Sequence, residues 1–389
     1  LKYSYEYSSR VISTLQLPLY VLLFLFCFYI NMFILDTKVL FPNIYQKRIK
    51  YSFIRNIVHK TFHFTLFFLY YSYEGTDMKN SLLKEISIHA FTEFKLGSAE
   101  YPDSNTGCTV ILSEAGYPTG IDIRGGAPAS RETGLLNPLA ANDGVHAIVL
   151  SGGSAFGLDT ASGVMNFLAE RNIGFPTSAG VVPIVCASCL FDLNRNLTQK
   201  YPDASLGYQA CKNAYNGIFE EGRHGAGTGA TIGKIYGPKQ ASLSALATYA
   251  VQLGELKVGA IVAVNAVGNI YDPSSGKILS GIRNLNNGGF IDAEEALYTA
   301  ILGRNLFHQN TTIGVILTNA KLDKTALTKV TGMAHDGYAR VIRPVHTTFD
   351  GDSIYAMSSC LVQADINVVG TIAAHVMEKA ILKTINFSE

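Results

Sequence analysis

The sequence has 389 residues, of which 16% are charged, and a net charge of +1. That length allows a large core in one or two domains. Near-neutral charge excludes the broad basic field of a nucleic-acid binder, and 48% apolar residues exclude a disordered chain.

In chain order, composition breaks near residue 77. Residues 1–77 hold a single glycine, Gly75, yet carry roughly half of all Phe and Tyr. The apolar run Leu19–Leu35, interrupted by Asn31, is just long enough to span a bilayer. Lys38, Lys47, Arg48, Lys50, Arg55 and Lys60 follow it, which would keep its C-terminal side cytoplasmic. Phe62–Tyr71 is too short to span, and no small-residue cleavage site follows the first run. The same composition is that of an AT-rich untranslated stretch read through, and Met78 then opens an ordinary globular N-terminus. The expectation is a mis-assigned start over 1–77, a functional domain over 78–389 and a cytoplasmic protein. The alternative is a membrane anchor through Leu19–Leu35.

After Met78, short Val/Ile-rich runs bounded by Gly, Asn or Asp predict strands at Thr109–Leu112, Ala147–Ser151, Val258–Val264, Thr312–Thr318 and Asn367–Gly370. Helices are predicted at Ala155–Arg171, Ala241–Val251, Lys324–Ile342 and Ile372–Ile385. In the first helix Leu158, Ala161, Val164, Phe167 and Leu168 recur at helical spacing, and Pro344 stops the third. Periodicity alone goes as far as sheets covered by helices in a layered α/β body.

Several motifs fail on inspection. His224–Lys234 resembles a phosphate loop, but Thr228 stands where the first glycine belongs and Ile235 replaces the required Ser or Thr. Gly225, Gly227 and Ala230 mimic a dinucleotide fingerprint with no predicted strand leading in. In Ser151–Gly157, Phe156 occupies the second glycine of a nucleophile elbow around Ser154. Cys186 and Cys189 form a C-x-x-C without a second ligand pair, so buried thiols are expected. His335 and His346 lack metal-ligand spacing and read as structural or surface residues.

Two stretches carry chemistry. Asn310–Ala320 places Asn-Thr-Thr directly before a β-rich run. A threonine hydroxyl is a poor nucleophile unless a base adjoins it, and its own α-amino group serves if the preceding bond is cut. Thr311 could attack the Asn310 carbonyl to give an ester, which water would open to a new N-terminus. Further on, Asp350 and Asp352 are two residues apart, which on a strand puts them on one face. Carboxylates that close perturb each other, and one could hold a proton near neutrality. A solvated Asp-Gly-Asp turn is the plain alternative.

The segments Arg124–Leu136, His146–Gly157, Val182–Val185 with Phe191–Leu193, Gly225–Lys234, Val262–Gly268, Asn310–Ala320 and Met333–Asp352 together resemble one family in order and wording. It is the DmpA-like group of S58 peptidases: L-aminopeptidase/D-esterases, β-peptidyl aminopeptidases and nylon-oligomer hydrolases. The resemblance runs from about residue 85 to about 385. It implies an α/β fold, a four-layer αββα sandwich of the DmpA/ArgJ-like type. It also implies a precursor that cuts itself and a homo-oligomer, often tetrameric. Thr311 falls on the nucleophile position, with an α chain of 78–310 ending at Asn310 and a β chain of 311–389. The Asn-Thr junction, Asp350 and Asp352 look more like the nylon-oligomer hydrolase branch. Asn265 and Lys234 fall on active-site positions, the first as an oxyanion donor, the second stabilising charge around Thr311. Phe191 stands where some members have a tyrosine. The resemblance thus implies an amide hydrolase or aminopeptidase acting on a small peptide or amide, with no metal or organic cofactor and no nucleic-acid partner. Its rivals are an acyltransferase of the ornithine-acetyltransferase kind and a non-enzymatic ligand-binding module.

Overall fold

A computed structural model describes residues 82–196, 198–299 and 310–387. The segment 1–77, with the run Leu19–Leu35 and Cys27, lies outside them, as does Met78. The compact unit that begins at Leu83 has eleven principal strands. They are β1 (Lys84–Ile86), β2 (Lys95–Tyr101), β3 (Thr106–Tyr117), β4 (Thr119–Ile123), β5 (Ala129–Arg131), β6 (Val145–Ser151), β7 (Val185–Cys189), β8 (Leu246–Leu253), β9 (Leu256–Ala263), β10 (Ile313–Ala320) and β11 (Ser353–Val362). The principal helices are α1 (Thr160–Ala169), α2 (Ala204–Tyr215), α3 (Lys324–Val341) and α4 (Ile366–Lys383).

Two sheets result, one in the order β1-β8-β9-β10-β11-β4 and the other in the order β2-β3-β6-β7-β5. Their strands are apolar on both faces, and the pleat sorts each side chain to one layer. On β10, Ile313, Val315 and Leu317 enter the core between the sheets, where they join Ile148 and Leu150 of β6. Ile316 and Ala320 face the other way, toward Leu327 and Val330 of α3 and Ile372 and Val376 of α4. On the second sheet, Val110 of β3 and Val149 of β6 pack on Phe167 of α1 and Ala210 of α2. The order is therefore helices, sheet, sheet, helices, the four-layer αββα arrangement. A one-residue slip of β10 would exchange its two faces, and each buried aliphatic side chain contributes about 1.5–3 kcal/mol, so the register is firmly held.

Two predicted elements are corrected. Ala241–Val251 is not a helix: Ser242–Leu243 is a short strand and β8 starts at Leu246, pairing residue by residue with β9. Ala, Leu and Ser favour a helix locally, but the sheet position overrides that preference. Asn367–Gly370 is not a strand but the first turn of α4, where Asp365 caps the N–H groups of Asn367 and Val368. Ala155–Arg171 divides into a tight 3-10 segment, Ser154–Asp159, and α1. The remaining predicted strands and helices fall on β3, β6, β9, β10, α3 and α4.

One pairing detail positions the site. β9 runs antiparallel to β10 with Ala263 opposite Ile313, whereas β11 runs parallel to β10 with Ser353 opposite Ile313. The end of β9 and the starts of β10 and β11 therefore meet at one end of the sheet. Asn265, Thr311 and Asp352 each lie within two residues of that meeting point. A polar tie crosses between the sheets nearby: Ser353 Oγ donates to Ser188 Oγ at 3.1 Å, and Ser188 Oγ bonds the Tyr355 hydroxyl at 2.8 Å.

Candidate active site

Thr311 is buried, 3% exposed, and its hydroxyl donates to the carbonyl oxygen of Asn310. The N–H of Gly351 donates to the same hydroxyl oxygen at 3.1 Å. A Cβ at residue 351 would stand 2.8 Å from that oxygen, so this contact needs a glycine. The N–H of Thr311 donates to the carbonyl of Asn265 at 2.9 Å. Beside it, the side-chain amide of Asn310 is buried with no hydrogen-bond partner among the described residues, which carries a desolvation cost.

Lys234 reaches this point from the glycine loop. Gly233 and Lys234 donate their N–H groups to the carbonyls of Gly268 and Val267, which fixes the loop against the Val264–Gly268 turn. Gly233 has φ +70°, and a Cβ there would stand 2.2 Å from the backbone of Gly281. The Lys234 ammonium donates to the Asn265 carbonyl at 2.9 Å and to Asn265 Oδ1 at 2.7 Å. Asn265 Nδ2 donates to the carbonyl of Phe191 at 2.9 Å, which leaves its second hydrogen uncommitted among the described residues. Burial holds the Lys234 pKa down at about 7, against the pull of Asp350, Asp192 and Asp352.

The two carboxylates precede β11 rather than lying on it, since the strand starts at Ser353. Both are buried and each has its own donors. Asp350 Oδ2 accepts from the N–H and hydroxyl of Thr347 at 2.8 and 2.6 Å. Asp352 Oδ1 accepts from the Thr312 N–H at 2.8 Å, and its Oδ2 from the N–H of His346 at 3.1 Å. Burial and the charge of Asp352 raise the Asp350 carboxyl to about 6, with the Thr347 bonds and Lys234 opposing. Asp350 therefore gains and loses its proton in weakly acidic solution, closer to neutrality than an ordinary carboxylate.

The segment 84–389 matches Peptidase family S58. The chain belongs to that family. An uncharacterized aminopeptidase of Mycobacterium leprae is 38% identical over 268 residues, 66% of this chain and 72% of its own length. A 6-aminohexanoate-oligomer endohydrolase of Kocuria sp. is 32% identical over 310 residues, 75% of this chain and 84% of its own. Among solved structures, the L-aminopeptidase D-Ala-esterase/amidase of Ochrobactrum anthropi, a variant of the Ntn hydrolase fold, superposes with a TM-score of 0.56. That match has 16% identity and covers 76% of this chain and 85% of the other. A Burkholderia sp. β-aminopeptidase superposes at 0.51 with 18% identity, covering 76% and 83%. The chain is thus a hydrolase of the S58 peptidases on their αββα fold.

All five residues singled out in the sequence, Thr311, Asn265, Lys234, Asp350 and Asp352, gather around the Asn310–Thr311 bond. Two further residues are not singled out as site residues in the sequence. Asp192 is buried, with Thr106 Oγ1 donating to it at 2.6 Å and the Gly153 N–H at 2.7 Å. It thereby ties the Ser151–Gly157 loop to the Phe191 carbonyl that holds Asn265, and burial raises its carboxyl to about 6. No spacing rule marks a lone Asp in a loop. His346, read as structural or surface, has its Nδ1 2.9 Å from Asp352 Oδ2. Cys186 and Cys189 are free, buried thiols. Among the described residues no His, Cys, Asp or Glu cluster could hold a metal ion, and no helix is long and apolar enough to cross a membrane. A cleft of about 640 Å³ between β2 and α2, lined by Glu100, Lys212 and His224, touches none of the site residues.

Proposed function

We propose that this S58 hydrolase is made active by its own cut between Asn310 and Thr311, and that Thr311 then opens small amides through an acyl-threonine intermediate. The observation that carries this is the Thr311 hydroxyl, held by the Gly351 N–H and bonded to the Asn310 carbonyl, beside the bond to be broken. In the first step Thr311 Oγ bonds to the Asn310 carbonyl carbon, the C–N bond breaks, and the hydroxyl proton passes to the Thr311 nitrogen. Water then adds to the ester, Asn310 leaves as a carboxylic acid, and the hydroxyl is restored beside a free amine.

In turnover that amine, with an ordinary pKa of about 8, takes the hydroxyl proton as Oγ attacks a substrate carbonyl and returns it to the leaving amine. Water releases the acyl group. The uncommitted hydrogen of Asn265 Nδ2 is the donor for the developing oxyanion, a contribution of a few kcal/mol. Lys234 balances charge around Thr311, and its lowered pKa gives it a neutral form near pH 7 as well. Asp350 and Asp352 orient the new amine and move its proton.

The relatives named for aminopeptidase activity and for 6-aminohexanoate oligomers support a substrate that is a short peptide or a related linear amide. The working unit in this reading is a cytoplasmic homo-oligomer. The test is the intact mass of purified protein beside a Thr311→Ala control. Two fragments, the smaller beginning at Thr311, with an uncut control, sustain the mechanism; a folded wild type that stays whole ends it.

A further inference from the structure

The loop that joins α3 to Asp352 holds a residue that the mechanism does not use. His346 approaches Asp352 Oδ2 twice, through its main-chain N–H at 3.1 Å and its ring Nδ1 at 2.9 Å. The same residue has a left-handed backbone, φ 58°, a conformation uncommon for residues other than glycine, although asparagine, aspartate and histidine adopt it more readily than most. Strain of this kind persists where surrounding packing holds it, and it collects at functional sites.

The packing is visible. The His346 ring lies against Tyr338 with centroids 5.9 Å apart and an interplanar angle of 29°. The edge of His335 meets it at 4.7 Å. His335 is itself fixed by Nε2, 3.0 Å from the carbonyl of Asp122. An acceptor at Asp352 requires that His346 carry its hydrogen on Nδ1 when neutral, and Nε2 is buried without a partner among the described residues.

We propose that His346 is a positioning residue of the reaction. By its double contact it holds Asp352 as the ionised member of the carboxylate pair, so that Asp350 is the member that exchanges a proton with Thr311. Asp352 then has three donors, from Thr312 and twice from His346, whereas both donors on Asp350 come from Thr347. The charged or titratable groups that face this pair are Lys234, His335 and Tyr338, with Asp122 and Arg124 acting on His335. The assignment rests on the self-cutting mechanism proposed above.

Two variants separate the ring from the backbone. His346→Gly relieves the left-handed conformation and keeps the main-chain donor, but removes Nδ1. His346→Asn tolerates the same backbone and offers Nδ2 as a donor in place of the ring. Self-cleavage is timed by intact mass between pH 5 and 9, and folding is followed by Tm. The glycine variant is expected to fold, to cut at least tenfold more slowly at pH 7, and to move the acid limb of its profile up by about one unit. The asparagine variant is expected to recover most of the rate and the wild-type limb.

A glycine variant that cuts at the wild-type rate with an unmoved limb overturns the proposal, as does an asparagine variant no better than glycine. A wild type that never cuts sinks the hydrolase mechanism and this assignment with it, so the two failures are told apart by the wild-type lane. If the glycine variant does not fold, the histidine ¹⁵N spectrum of the Thr311→Ala chain decides. A neutral His346 with its hydrogen on Nδ1, lost to Nε2 when Asp352→Asn is added, supports the role; hydrogen on Nε2 from the start overturns it.

Discussion

The N–H of Thr311 and the ammonium of Lys234 share one acceptor, the carbonyl oxygen of Asn265, each at 2.9 Å. The nitrogen that a cut would free thus lies one carbonyl away from a buried lysine. Lys234→Met keeps the length and removes the donor. Self-cleavage, timed by intact mass, is expected to fall by about 10²-fold or more, the order seen when a preorganised electrostatic contact is lost. The variant also takes the cation away from Asp350, Asp192 and Asp352, so Tm is followed in parallel and the rate is compared only on folded protein. Unchanged cutting would exclude Lys234 from the chemistry.

Asp192 supplies a pH prediction. Its carboxyl is raised to about 6 by burial, above the ordinary value of about 3.9 in an unfolded chain. The folded state therefore binds the extra proton between those values. The stability this gives is complete below pH 4 and is lost as pH rises through 6. Asp192→Asn lacks that loss. Its Tm relative to the wild type should rise between pH 4 and pH 7, with a ceiling of about 3 kcal/mol. A Tm difference that is flat or falls over this range would contradict the burial argument. Comparing the two proteins cancels His335, which pulls in the opposite direction because burial lowers it to about 4.

Gly351 is the closest test of geometry. A methyl group there would stand 2.8 Å from Thr311 Oγ1 and 2.9 Å from the carbonyl of Ala127. Gly351→Ala must push the hydroxyl off the Asn310 carbonyl, and cutting is expected to slow at least tenfold while the chain stays folded. Denaturing gels over a time course, with a circular dichroism melt, would show both. Normal cutting in this variant would mean that the Gly351 N–H does not hold the nucleophile.

The tie between the sheets separates stability from chemistry. Tyr355→Phe leaves the Ser188 hydroxyl, already accepting from Ser353, without its partner. The expected cost is about 1–3 kcal/mol, or a few degrees in Tm for a chain of this size. The cutting rate should stay within about twofold of wild type. A large loss of rate at normal stability would bring Tyr355 into the site.

The strand after Thr311 was legible because local pattern and tertiary position agree there: a β-rich run follows Thr311, and β10 is a central strand buried on both faces. The role expected for Thr311 itself came from the family resemblance. Lys324–Val341 was legible for the same reason, with Asp323 capping the N–H of Ala326 at 2.8 Å. Residues 241–251 misled because Ala and Leu carry a helix preference that says nothing about a waiting strand edge. Asn367–Gly370 misled because Val368 and Val369 are β-branched, while the deciding residue is the cap at Asp365. Asp192 and His346 were illegible in a stronger sense. Each acts on a partner brought close by the fold or by an unusual backbone angle, and neither belongs to a spacing that chemistry requires.

The two strands that come after Thr311 do not sit at the rim of their sheet. β10 is bonded on one side to β9, and β11 on its far side to β4, both of which precede Thr311 in the chain. A break after Asn310 would therefore leave the shorter piece threaded between two parts of the longer one, as a nick in a continuous fabric. The halves would migrate together in native mass and come apart only when the fabric is unravelled. A fresh amine at Thr311 would then be gained without any loosening of the scaffold that aims it.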